Sequence, residues 1–206
     1  MIRPPGRDGV AFSERVDGDL RADGRARASF SRDLGVSDRW ALVSQVHGAE
    51  VVAAGRPGDQ GEADALWTTR PGLPLAVFTA DCFGVVVHAV GAVGVAHAGW
   101  RGTKAGVVGE LITEMERAGH PAIRAAIGPG IGTCCFEVGS DVAQLFPNHN
   151  ATTSWETVSI DLTGALLDQL QGLDVWVAEA CTLHEEGWFS HRRDATTERL
   201  AAVGWL

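Results

Sequence analysis

Long hydrophobic runs are missing from this chain. No segment approaches the roughly 20 consecutive apolar residues that a membrane-spanning helix needs, and the start, Met1-Ile2-Arg3-Pro4-Pro5, lacks the apolar core of a secretory signal. A cytoplasmic protein is expected. Basic residues are in the minority: 17 Lys and Arg against 26 Asp and Glu give a formal charge of −9. Such a surface repels phosphate backbones and anionic lipid, so neither nucleic acid nor a membrane is expected as a partner. A small anionic substrate stays open, because a local group of arginines can oppose the global sign. Cysteine is scarce as well, with Cys82, Cys134, Cys135 and Cys181 in 206 residues. In a reducing compartment and a chain of this size, free thiols or ligands are expected rather than a disulfide framework. Internal repeats, low-complexity tracts and interdomain linkers are also absent. A length of 206 residues that are 45% hydrophobic suits one domain with a substantial core.

What is present divides unevenly. Gly6 to Arg32 is rich in Arg, Asp and Gly, which predicts a loosely ordered arm or edge structure over 1–38 and a motif-bearing core over 39–206. Apolar and β-branched runs predict strands at 41–46, 50–53, 75–79, 85–89 and 93–98. The short link at Gly91-Ala92 favours an antiparallel hairpin, which returns His97 close to Cys82. Val107, Val108, Leu111, Ile112 and Met115 lie at helical spacing, predicting a helix over 103–117 with Thr103 as N-cap and its amino end facing His97. Further strands are expected at 123–127, 157–160, 175–178 and 201–206, with helices at 141–146 and 162–170. The pattern is mixed α/β.

The candidate chemistry gathers on three glycine- and alanine-flanked segments that carry His47, Cys82 and His97. Imidazole nitrogen and thiolate sulfur are donors for zinc or copper, and three protein ligands leave a fourth position for water or substrate. The same atoms suit a cysteine hydrolase, with Cys82 as nucleophile, His97 as base and Asp81 or His47 orienting it. Spacing alone does not separate these readings, and isolated His or Cys residues in apolar strands are more often core. Arg101, in Trp100-Arg101-Gly102, reads either as a phosphate clamp or as a surface arginine stacked on Trp100. Gly128-Pro129-Gly130-Ile131-Gly132 reads either as a tight turn or as a backbone nest lining a pocket, with Gly128 at the substrate. Arg192 and Arg193, beside His191, suit a recognition loop. Adjacent Cys134 and Cys135, if in a strand, point to opposite faces, so only one of them would face a site. A redox-responsive interaction protein sensing oxidants through Cys82, Cys134 and Cys135 is a third reading.

Six ordered segments together resemble the YfiH-like, or laccase-domain (multicopper polyphenol oxidoreductase), family. They are Gln45-Val46-His47-Gly48, Thr79-Ala80-Asp81-Cys82, Ala96 to Gly102, Ile127 to Ile131, Cys134 to Gly139 and Phe189 to Asp194. The resemblance implies an α+β fold, a single domain of layered mixed β-sheets flanked by helices. It also implies zinc, or copper in its place, on His47, Cys82 and His97. The implied activity is phosphorolysis of adenosine, inosine and methylthioadenosine, with adenosine deamination as a further one, so the partners would be a purine nucleoside and phosphate. Hydrolysis of amide or peptidoglycan-precursor bonds through Cys82 is the alternative that related proteins bring.

A blue-copper electron path needs many histidines, commonly in His-x-His pairs. This chain has seven, no two separated by a single residue. The zinc-deaminase signature is absent too, because no P-C-x-x-C follows His184-Glu185-Glu186. Against the family pattern the N-terminal segment is short, Gly84 stands where proline is common, and His191 where tyrosine is frequent.

Overall fold

Alternation of apolar residues along the strands builds a layered structure, seen in a computed structural model that describes residues 1–206. In chain order the elements are β1 (Val10–Phe12), α1 (Gly24–Leu34), β2 (Ala41–Ser44), β3 (Val51–Ala53), β4 (Gly58–Glu62), β5 (Ala65–Thr68) and β6 (Leu75–Thr79). Next come β7 (Phe83–Ala89), β8 (Ala92–Ala98), α2 (Trp100–Ala105), α3 (Val107–Arg117), β9 (Ala122–Ile127) and α4 (Ser140–Ala143). The chain closes with β10 (Asn150–Thr152), β11 (Val158–Ile160), α5 (Leu162–Gln169), β12 (Asp174–Val177), α6 (His191–Asp194) and β13 (Leu200–Gly204). A five-stranded sheet has the order β1-β13-β6-β2-β4, a six-stranded sheet the order β12-β9-β7-β8-β5-β3, and β10 pairs with β11 alone. Both large sheets are mixed: β2 is parallel to β6 while β13 is antiparallel to it, and β9 is parallel to β12 but antiparallel to β7.

The period of two along a strand explains why these runs are apolar throughout. In β6, Leu75 and Val77 face the six-stranded sheet, whereas Ala76 and Phe78 face the layer of α1 and Trp40. In β7, Val86 fills the space between the sheets, while Val85 and Val87 meet Leu111 and Met115 of α3 and Leu166 of α5. The result is four layers, helix on sheet on sheet on helix, consistent with the α+β expectation. No helix is long and apolar enough to cross a membrane.

The hairpin forms as expected, with Gly84 opposite His97 and Phe83 opposite Ala98. Cys82 therefore enters the sheet beside the residue where His97 leaves it. The single helix expected over 103–117 is instead two. Gly106, at φ 83, ends α2 in a left-handed cap and starts α3 in a new direction, and Gly99 rather than Thr103 caps α2. Periodicity identified the buried face of α3 but carries no information on continuity.

The segment expected as a loosely ordered arm or edge structure is built into the layers, partly as an edge. β1 is an edge strand, and its Phe12 is buried and stacks on Trp176 with ring centroids 6.0 Å apart. α1 is capped by Asp23, whose carboxylate accepts the N–H groups of Arg25 and Ala26, and ends at left-handed Gly35. Only Phe30, Ser31 and Leu34 of α1 are buried, so its solvent face dominates the composition and hides the helix.

Candidate metal centre

Three elements deliver their ends to one rim of the sheets. The turn between β6 and β7 carries Asp81 and Cys82, β8 carries His97 near its end, and the loop after β2 carries His47. The donor atoms of His47, Cys82 and His97 all lie within 4.8 Å of one another. The two imidazoles meet edge to face, with centroids 4.8 Å apart and planes at 83°. Two non-glycine residues here sit in the left-handed region, His47 at φ 63 and Asp81 at φ 82. Each is held by a carboxylate. Asp64 accepts the backbone N–H groups of Val46, His47 and Gly48 at 3.2, 3.0 and 2.6 Å. The Asp81 carboxylate accepts Thr182 Oγ1–H and the Arg192 backbone N–H, each at 2.7 Å.

Asp64 also fixes the electrostatics. Its side chain is fully buried, and Oδ1 lies 2.8 Å from His97 Nδ1. Facing an acceptor, Nδ1 carries the proton, which leaves Nε2 of His97 as the donor for a ligand. Burial by itself raises the Cys82 thiol, but hydrogen bonds from His47 and His97 outweigh it and bring the thiol down to about 6. Burial by itself lowers His97, but the bonds to Asp64 and Cys82 prevail and raise it to about 9. Burial raises Asp64 as well, yet the contact with His97 and the backbone N–H bonds hold it below the ordinary carboxylate value. In the metal-free protein the pair is thus thiolate and imidazolium at neutral pH. A thiolate with two imidazoles is a donor set that fits zinc, and also copper, with room for a further ligand on the side of the cavity.

That cavity measures about 930 Å³, and His47, Cys82 and His97 form part of its wall. Four guanidinium-bearing residues, Arg21, Arg101, Arg192 and Arg199, also line it and outnumber the carboxylates of Asp59 and Asp81, a local excess of positive charge in a chain of charge −9. Arg101 lines the cavity while stacking 4.2 Å from the Trp100 ring centroid. Arg192 lies 5.1 Å from the Phe136 centroid and donates to the Glu137 carbonyl. Gly128 corrects the expectation. It is buried away from the cavity lining, and a Cβ there would overlap the Phe12 ring, so its glycine serves close packing rather than a substrate nest.

Arg21, Arg199 and Asp64 escaped the sequence reading. The arginines lie in segments that look like ordinary charged surface; burial and the nearby Arg21 depress the Arg199 guanidinium. Asp64 left one trace, a carboxylate set between Ala63 and Ala65 at the start of an apolar strand.

A second group lies outside the trio. Cys134, Cys135 and Cys181 place their sulfurs within 4.8 Å of one another. The first two lie in a turn rather than a strand, with the N–H groups of Cys135 and Phe136 both donating to the Gly132 carbonyl. Turn geometry lets neighbouring side chains converge, and the two sulfurs are 3.1 Å apart rather than on opposite faces.

Comparison with known proteins places this geometry in context. The family model for multi-copper polyphenol oxidoreductase laccase matches residues 8–206. The chain is 40% identical over 207 residues to a Streptomyces griseus protein named purine nucleoside phosphorylase ORF3, covering 93% of this chain and 84% of that one. It is 38% identical to a purine nucleoside phosphorylase of Deinococcus radiodurans, covering 95% and 81% of the two chains. It superposes on the crystal structure of YlmD from Geobacillus stearothermophilus with a TM-score of 0.85 and 28% identity, covering 98% of this chain and 94% of that one.

Proposed function

Because the chain belongs to the multi-copper polyphenol oxidoreductase laccase family, with purine nucleoside phosphorylases among its relatives, we propose that it splits purine nucleosides with inorganic phosphate. Adenosine, inosine and methylthioadenosine are the proposed substrates. The observation that carries the reading is one cavity walled on one side by the Asp64-braced trio and elsewhere by four arginines. Its volume of about 930 Å³ accommodates a nucleoside beside a phosphate.

In the reaction a phosphate oxygen bonds to the ribose anomeric carbon as the carbon–nitrogen bond to the purine breaks. The base leaves with the electron pair and takes up a proton, giving ribose 1-phosphate. Arg101, Arg192, Arg199 and Arg21 hold the phosphate and offset its charge, and their guanidinium groups suit two-pronged contacts with its oxygens. Phe78, Phe136 and Trp100 give the same cavity apolar surface for the base. Zinc on His47, Cys82 and His97 would supply a Lewis acid with an open position. Asp64 keeps Nε2 of His97 available for it, and the Cys82 thiolate contributes the negative charge. Adenosine deamination at C6, with water in place of phosphate, is the proposed further activity of this site.

The thiolate–imidazolium pair gives one specific ground for a second reading, a hydrolase with Cys82 as nucleophile. Copper-cluster oxidation lacks such a ground, since only one of the two donor groups contains histidine, and it has two. The deciding experiment incubates zinc-loaded protein with each nucleoside, with and without phosphate, and measures free base and ribose 1-phosphate. Phosphate-dependent release of both is expected. No release from any nucleoside rejects the proposal, and activity of the metal-free protein that disappears on stoichiometric alkylation of Cys82 favours the hydrolase.

A further inference from the structure

We propose that Cys134, Cys135 and Cys181 form a second, all-sulfur site that binds one thiophilic monovalent cation of the Cu(I) type. Three sulfurs from two distant chain segments converge within 4.8 Å, and no imidazole or carboxylate donor belongs to the group. Metal–sulfur bonds of about 2.3 Å in a trigonal plane place sulfurs about 4.0 Å apart. The sulfurs here, 3.1 Å apart for Cys134 and Cys135 and no more than 4.8 Å for any pair, bracket that spacing. Small side-chain rotations therefore complete the triangle without moving the backbone.

The scaffold is fixed where such a site needs it to be. A parallel bridge joins Gly130 to Cys181, and the Thr182 N–H donates to the Gly130 carbonyl at 3.0 Å. The Gly132 N–H points at Cys181 Sγ at 3.2 Å, which favours negative charge on that sulfur. Cys134 and Cys181 are half-buried, giving an entry, while Cys135 is buried and closes the inner side.

Ligand chemistry selects the cation. Soft thiolates favour Cu(I), zinc and iron–sulfur clusters. Zinc on three protein ligands needs a fourth position filled by water or substrate, as the cavity offers at the trio, whereas Cu(I) is satisfied by three sulfurs in a plane. A disulfide is a poorer use of the same atoms, because adjacent Cys134 and Cys135 bridge badly and a bridge from either to Cys181 leaves the third thiol over. Binding sends thiol protons to solvent and moves no electron. The site shares no ligand with the trio, although Thr182, next to Cys181, donates to Asp81, next to Cys82. The test must therefore tell the two apart.

The full reduced chain is titrated anaerobically with Cu(I) held by bicinchoninate, and each cysteine is then mapped by iodoacetamide. Joint protection of Cys134 and Cys181 is expected. X-ray absorption of the copper-loaded Cys82→Ala chain should show a sulfur-only shell. Cys181→Ser should weaken the protection of Cys134 by about a hundredfold, at least what a metal site loses with a supporting partner, and leave that of Cys82 as in the native chain. Cys134→Ser, half-buried in a turn, repeats the test with little disturbance to the core, by its effect on Cys181. Protection confined to Cys82, histidine nitrogen in the shell of the Cys82→Ala chain, or protection that survives both serine substitutions overturns the proposal.

Discussion

Asp64→Asn isolates the contribution of the buried carboxylate with the smallest change in shape. Oδ1 accepts from the His47 N–H and from His97 Nδ1, and Oδ2 from the Val46 and Gly48 N–H groups. An asparagine keeps one acceptor oxygen and turns the other end into a donor. Aimed at Val46 and Gly48, its NH₂ leaves two backbone donors unpaired; aimed at His97, it leaves only the His47 N–H and can donate to Nδ1. The second orientation costs less, at about 1–3 kcal/mol for the orphaned donor. Loss of the charged contact with His97 brings the metal-free protein to about 3–5 kcal/mol below the native one, the range for breaking a buried pair.

That orientation also moves the imidazole proton to Nε2, the nitrogen needed for a metal. Zinc affinity should fall by about 10- to 100-fold, or about 1.4–2.7 kcal/mol. Chelator competition measures the affinity and urea unfolding the stability. The pH dependence adds a check of sign. Asp64 is held below its ordinary value in the folded state, so its contribution is present in full above that value and is lost as pH falls through the lowered one. The stability gap between native and variant should be widest in the weakly acidic range between the ordinary Asp and His values, narrowing in stronger acid as Asp64 takes up a proton and, above neutrality, as His97, raised to about 9, loses its own. A folded Asp64→Asn protein with native zinc affinity would refute the tautomer argument.

Other outcomes can be checked separately. Cys82→Ser should lower turnover by at least about 100-fold, more than the loss of a supporting group costs, with zinc per chain falling in elemental analysis. In metal-free protein, alkylation of Cys82 should rise through about pH 6 and level off near neutrality, because the thiol is held at about 6; a midpoint near 9 contradicts the histidine contacts. Arg199→Ala should raise the phosphate KM about tenfold, as one charge-assisted contact of about 1.5 kcal/mol predicts, with a smaller effect on the nucleoside; an unchanged phosphate KM removes it from the anion site. A Cβ on Gly84 would overlap that of Ala202, so Gly84→Ala should cost about 1–3 kcal/mol in urea unfolding. Adding Ala202→Gly should recover most of that loss, and full additivity of the two changes would place these residues out of contact.

β6, β7 and β8 were readable because they are apolar runs buried throughout, and β2 and β9 because apolar and β-branched residues make up most of each. β4 was not, since Gly58–Glu62 pairs at a sheet edge through its backbone and carries no apolar signal. α1 was concealed by its charged outer face, and the break at Gly106 went unseen because the periodic residues, Val107 to Met115, all lie after it and leave Thr103 to Gly106 without a signal. The neighbourhood of Cys82 and His97 was legible because a short hairpin determines it locally. His47 comes from a separate loop, and its arrival there depends on Asp64.

By itself the sequence determined a mixed α/β pattern and the three soft donors, since alternation and ligand type are properties of individual residues and short spans, while the layered α+β class came from the resemblance of its ordered segments. The tertiary structure decided which charges those donors meet. Asp64 beneath His97, Arg21 and Arg199 across the cavity, and Cys181 beside Cys134 and Cys135 are joined only by sheet register and loop placement. The energies that bring them together belong to packing between distant segments, which no local pattern records.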